Sequence, residues 1–92
     1  MFSWKPEATD VQRQAVPEQL AGLPAKIPEM RSYKFGPDVG INEGNADFAV
    51  VADFEDVDGY LVYRDHPEHR AIIDTYIAPI VATRTAVQFE LG

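Results

Sequence analysis

Residues 47–54 constrain the fold of this chain more than any other stretch. Their alternation marks a strand, with Phe48, Val50, Ala52 and Phe54 facing one way and Ala49 and Val51 the other. Both faces are apolar until Asp53. A strand that is apolar on both sides is normally covered twice. In a chain of 92 residues, helices suffice for only one side of a sheet. The second cover is therefore expected from a twin subunit. A small domain without disulfides or metal also commonly draws its missing stability from such a partner.

The rest of the pattern supplies the other layers. Residues 2–5 read as the end of a strand. Thr9 suits a helix cap and Asp10 a first turn. Val11, Ala15, Leu20, Leu23 and Ile27 then recur at roughly helical spacing, so residues 10–23 are expected to form a helix, kinked at Pro17. Pro24 and Pro28 are expected to keep its exit non-helical. Residues 30–36 alternate as a strand, with Arg31, Tyr33 and Phe35 on one side and Ser32 and Lys34 on the other. The Gly- and Asn-rich residues 36–45 read as a loop. A helix follows Asp56, its expected cap, and runs to Tyr63. A further helix starts near Pro67, with Ile72, Ile73, Tyr76, Ile77, Ile80 and Val81 as its buried stripe and Pro79 at its end. Residues 83–91 alternate again, with Thr85, Val87, Phe89 and Leu91 on one face. The order is that of a single α+β domain over residues 1–92, a ferredoxin-like β-α-β-β-α-β unit. One sheet face carries the helices and the other is left open for the twin, giving a dimeric α+β barrel.

Charge and composition remove several function classes. The net charge is −7 and no basic cluster is present, which argues against nucleic acid as a partner. No apolar run approaches a membrane span, and the first residues carry no apolar signal region. A soluble, cytoplasmic protein is expected. The absence of cysteine excludes disulfides, thiolate chemistry and Cys-containing zinc sites.

Both histidines fall in one short run, Tyr63-Arg64-Asp65-His66-Pro67-Glu68-His69. Their spacing suits a metal only if both rings leave the same side of one helix, and Pro67 places His66 at or before the helix start. No metal site is expected. Two readings of the run stand. In one, His69 is a general base or acid with Tyr63 as its partner, because imidazole titrates near neutrality. In the other, His66 caps a helix and His69 covers an edge of the core. The aromatic residues Phe2, Trp4, Phe48, Phe54, Tyr60, Tyr63 and Tyr76 are either core or the wall of a pocket for a small hydrophobic ligand. The acidic run Asp53, Glu55, Asp56 and Asp58 with Gly59 fails as a calcium loop, because Phe54 occupies the first ligand position.

Four stretches together resemble the stress-responsive A/B barrel family, often called Dabb. They are Phe2-Ser3-Trp4-Lys5-Pro6 with Ala8-Thr9, Leu23-Pro24-Ala25-Lys26-Ile27-Pro28 into Arg31-Ser32-Tyr33, Ala46-Asp47-Phe48-Ala49-Val50 through Phe54-Glu55-Asp56, and Tyr63 with His66-Pro67-Glu68-His69. The last, an H-P-x-H signature with its upstream tyrosine, is the most specific. The resemblance implies a ferredoxin-like protomer in a dimeric α+β barrel. Family members have varied or unknown roles, and some are stress-induced stable oligomers. One plant branch cyclises polyketides in a pocket between sheet and helices. Its pocket tyrosine and helix histidine fall on Tyr63 and His69. Its third-strand histidine falls on Phe48, which transfers no proton, and its first-strand histidine would fall ahead of Met1. The short first strand is what a start upstream of Met1 would leave. The signature points away from the related monooxygenases of this barrel type, which usually act without a tightly bound cofactor or on haem.

These readings converge on a homodimer, joined through the open sheet face, that binds a small hydrophobic or aromatic molecule and needs no cofactor. The expected ligand-binding residues are Trp4, Phe48, Val50, Tyr63, His66, His69 and Tyr76. If the chain is catalytic, the expected step is proton transfer at a β-keto or phenolic substrate, with His69 as base and Tyr63 as its orienter. The alternative is a stress-associated structural oligomer without turnover.

Overall fold

Helices lie on one side of a four-stranded antiparallel sheet in the computed structural model, which describes residues 1–91. The strands are β1 (Phe2–Trp4), β2 (Met30–Pro37), β3 (Phe48–Phe54) and β4 (Val81–Arg84), in the spatial order β2-β3-β1-β4. This is the ferredoxin-like arrangement. The helices are α1 (Asp10–Leu20), α2 (Leu23–Lys26), α3 (Val57–Asp65) and α4 (Pro67–Ile72), the last continued by a π-helical turn over Ile73–Ile77.

A capping box starts α1. Thr9 Oγ1 accepts from the Gln12 amide at 3.1 Å, and Gln12 Oε1 accepts from the Thr9 amide at 2.9 Å. The helix runs through Pro17 but stops at Leu20, short of the expected Leu23. A separate turn, α2, then forms where a non-helical exit was expected. Leu23 and Ile27 are both fully buried, and burying them keeps the chain coiled here. Pro24 sits in the first turn of α2, where its missing N–H is not needed.

β3 has the two faces expected of it. Phe48 is buried, Val50 packs against the core, and Tyr33 and Phe35 of β2 join them on the helix-covered side. Val51 lies on the other face and is 58% exposed. That open face also carries Lys34, opposite Val51, and a Ser32 hydroxyl donating to Asp53 at 2.7 Å. The expected alternation of β2 breaks at its start, where a bulge between Met30 and Ser32 takes up Arg31.

The β1–β3 join is short. Phe2 pairs with Phe48, the Asp47 amide donates to the Phe2 carbonyl at 2.8 Å, and the Trp4 amide donates to the Asp47 carboxylate at 2.8 Å. A side chain thus replaces a strand carbonyl where the strands diverge. Phe2, Trp4 and Phe48 pack ring against ring on the helix side. Val16, Leu20, Leu23, Ile27, Ile72, Ile77 and Ile80 complete the core.

The last strand departs from expectation. It covers Val81–Arg84, not residues 83–91. The Thr85 amide donates to the Met1 carbonyl at 2.9 Å, and the ladder with β1 is not continued past this bond. Val87, Phe89 and Leu91 are therefore left 77%, 75% and 71% exposed.

Candidate functional site

The H-P-x-H run forms the joint between two helices. Asp56 caps α3 by accepting from the Gly59 amide at 2.8 Å, and α3 closes at Asp65. Pro67 cannot extend α3 but suits the first turn of α4. His66 stands between them as the N-cap of α4, its Nδ1 accepting from the Glu68 amide at 3.1 Å. One turn on, His69 is folded back over α3 and is only 9% exposed.

That position fixes the proton on His69. The last carbonyls of a helix lack partners within it. His69 Nδ1 lies 3.1 Å from one of them, the Arg64 carbonyl, which can only accept. Nδ1 therefore carries the hydrogen and Nε2 carries the lone pair of the neutral ring. Nε2 has no hydrogen-bond partner among the described residues. Burial holds the imidazole below its ordinary value. The bond to the Arg64 carbonyl works against this, and the positive charges of Arg70, Arg84 and His66 reinforce it. The ring is a neutral proton acceptor at neutral pH.

Tyr63 lies against this imidazole, with ring centres 4.1 Å apart and planes tilted by 32°. Its hydroxyl meets that of Tyr33 at 3.3 Å. Burial pushes the Tyr63 phenol up, while the hydrogen bond with Tyr33 opposes the rise. Burial pushes Tyr33 well above the usual phenol range, and its closeness to Tyr63 adds to this. Both phenols therefore stay protonated at neutral pH. Phe54 and Tyr60 close the far side, with Phe54 5.2 Å from the Tyr63 ring. The arrangement offers one neutral base, a pair of hydroxyls and aromatic walls.

The other expected residues are spread more widely. Trp4 and Phe48 are buried and pack on one another, and Val50 is half-buried on the same sheet face. His66 is engaged at its cap. Tyr76 lines an apolar cleft of about 200 Å³ with Val11, Gln12, Ala15 and Ile80. A larger cleft of about 490 Å³ lies by Met1, Pro37, Phe48 and Ala49. Neither cleft is lined by Tyr63 or His69. Among the described residues no group of three His, Cys, Asp or Glu is placed to hold a metal ion, and no helix is long and apolar enough to cross a membrane. Sequence reasoning did not single out Tyr33, although its alternation with Phe35 put it on the correct face.

Comparison with known proteins agrees with this architecture. The family model for the stress responsive A/B barrel domain (Dabb) matches residues 1–91. A dimeric ferredoxin-like protein of unknown function from Thermobifida fusca is 49% identical, superposes with a TM-score of 0.91, and is matched over 99% of this chain and 85% of its own. A second dimeric protein of unknown function with a ferredoxin-like fold, from Bacteroides fragilis, is 25% identical with a TM-score of 0.79, over 98% and 89% of the two chains. A Dabb family protein with a ferredoxin-like fold from Mesorhizobium loti shares the fold at 18% identity, with a TM-score of 0.78 over 99% and 91%. No curated protein sequence matches the chain.

Proposed function

The chain belongs to the stress responsive A/B barrel (Dabb) family, and from that premise we propose that it is a homodimer that binds a small hydrophobic or aromatic molecule between sheet and helices. The observation that carries this reading is the His69–Tyr63 pair. A helix-end carbonyl holds the imidazole in one tautomer, and Nε2 has no hydrogen-bond partner among the described residues and lies beside an aromatic wall. On a β-keto or phenolic ligand, His69 would accept the proton through Nε2. Tyr63 would orient the imidazole by packing against it, and its hydroxyl would stay protonated. We place the protein in the cytoplasm, which its acidic, cysteine-free composition suits.

The pairing of two copies through the open sheet face has its own support. Val51 is exposed there, and the alternating apolar side chains of Val87, Phe89 and Leu91 lie uncovered beyond β4. The Thermobifida fusca and Bacteroides fragilis relatives are described as dimeric.

The test is a thermal-shift screen of the purified protein against small aromatic acids, polyketide-like lactones and haem. A ligand that binds only the folded state must raise the melting temperature. A rise that disappears in His69→Ala supports the site. A rise unchanged by that substitution removes it. A second reading, a structural oligomer without turnover, draws on the two clefts, which bypass Tyr63 and His69. It predicts no shift with any of these compounds.

A further inference from the structure

The two histidines of the helix joint use the same ring atom in opposite ways. His69 Nδ1 donates to the Arg64 carbonyl, whereas His66 Nδ1 accepts from the Glu68 amide, each at 3.1 Å. His69 therefore carries its hydrogen on Nδ1, and His66 carries its hydrogen on Nε2. The consequences of adding a proton differ. A ring that donates through Nδ1 keeps its bond as imidazolium. A ring that accepts through Nδ1 loses its bond, because imidazolium has no acceptor.

His66 also ties the two helices together through its backbone. Its amide donates to the Tyr63 carbonyl at 3.3 Å, closing α3, and its carbonyl accepts from the Arg70 amide at 2.9 Å, opening α4. The side-chain cap lies between these two bonds and holds the first turn of α4, residues 67–70, which contains His69. The carboxylates nearest in the chain are engaged, Glu68 with Lys26 at 3.2 Å and Asp65 with Arg64 at 3.0 Å. Of the elements packed against α4, α2 brings Lys26, α3 brings Asp58, Arg64 and Asp65, α1 brings Asp10, Arg13 and Glu18, and the π-helical turn brings Asp74. Among the described residues none of these groups makes a hydrogen bond or ion pair with the His66 ring. A cation at a helix start also faces the positive end of the helix and its free amides.

We propose that His66 is a positioning residue for His69 and that its protonation releases the site. With His66 neutral, the cap holds α4 where His69 reaches the Arg64 carbonyl. With His66 protonated, the Glu68 amide loses its acceptor, the first turn of α4 loosens, and His69 leaves that carbonyl. Imidazole side chains gain their proton between about pH 8 and pH 5. The base is thus set in place at neutral pH and freed in acid, by a local charge change acting on a helix start. The switch belongs to the protein without ligand, so it stands or falls apart from the binding reading.

The test is nitrogen-15 NMR of the protein from pH 8 to pH 5, with amide hydrogen exchange over the same range. At pH 8 the two rings should show opposite tautomers, with hydrogen on Nε2 of His66 and on Nδ1 of His69. As His66 gains its proton, the Glu68 amide should exchange about fivefold faster after correction for its intrinsic rate, as for loss of a cap. The His69 tautomer signature should fade in the same step. His66→Asn supplies a cap that does not titrate, and it should keep both the Glu68 protection and the His69 tautomer through that step. Equal protection of the Glu68 amide on both sides of the His66 titration would overturn the switch. Protection lost at Glu68 with the His69 signature unmoved would confine the effect to the cap and overturn the positioning role. The titration of the unaltered protein needs no variant, so a folding defect at residue 66 cannot obscure the outcome.

Discussion

The hydroxyl groups of Tyr33 and Tyr63, 30 residues apart in the chain, meet at 3.3 Å between β2 and α3. Each is the other's polar partner in a half-buried aromatic cluster. Replacing either with Phe leaves a hydroxyl unpaired, whereas replacing both leaves none. A double-mutant cycle by urea denaturation should give a coupling of about 0.5–1.5 kcal/mol. A coupling near zero would mean that solvent satisfies both groups.

His69 makes stability depend on pH with a definite sign. Folding lowers its pKa from the ordinary 6.5, so the unfolded chain binds the proton more readily. The resulting stabilisation is complete above about pH 6.5 and is lost as pH falls toward the folded value. The stability difference between the unaltered protein and His69→Gln should therefore shrink between pH 7.5 and pH 5.5. Parallel denaturation profiles for the two proteins would show that the ring titrates as freely folded as unfolded.

Phe48 touches Trp4 and Phe35 and is 3% exposed at the centre of the sheet. Phe48→Ala should cost about 3–5 kcal/mol. That approaches the whole stability of a domain this small. Thermal unfolding monitored by circular dichroism should show a largely unfolded chain at 37 °C, or a melting point lowered by many degrees.

Val51→Asp places a charge on the face assigned to the partner. Sedimentation equilibrium should show a dimer for the unaltered protein and a monomer for the variant, or an unfolded chain if the monomer cannot stand alone. A stable dimer carrying the charge would move the interface elsewhere.

Thr9 and Asp56 start the two longest helices, α1 and α3, by side-chain caps. Each Ala substitution should cost about 1 kcal/mol. Asp56→Ala should also loosen α3, which holds Tyr63, and so weaken any ligand response that Thr9→Ala spares. Melting temperatures with and without ligand separate the two effects.

Local signals were sufficient wherever a side chain acts on its own segment. The cap residues Thr9 and Asp56, the helix start at Pro67 and the two faces of β3 all follow from spacing and residue type. The tyrosine–histidine pair was readable too, because Tyr63 and His69 lie on consecutive helices a few residues apart. Tyr33 was harder to assign, since its role depends on a partner from another element. The faces of β4 were not readable either, because its register against β1 slips between Ser3 and Trp4 and no periodicity in residues 81–84 announces it. The length of β4 was misjudged for a similar reason. Alternation continues to Leu91, but a strand is defined by its pairing, and the pairing with β1 covers only Val81–Arg84.

The π-helical turn between Ile72 and Ala78 bears on how relatives should be aligned. The Ala78 amide donates to the Ile73 carbonyl at 2.8 Å, and Ile72 and Ile77, five positions apart, are both buried. The turn holds one residue more than an α-helical turn would. A relative shorter by one residue there can close an ordinary α-turn and still bury the counterparts of both isoleucines. Such a gap belongs inside this turn. Placing it upstream would slide the H-P-x-H signature out of register and misassign the histidine that faces the tyrosine.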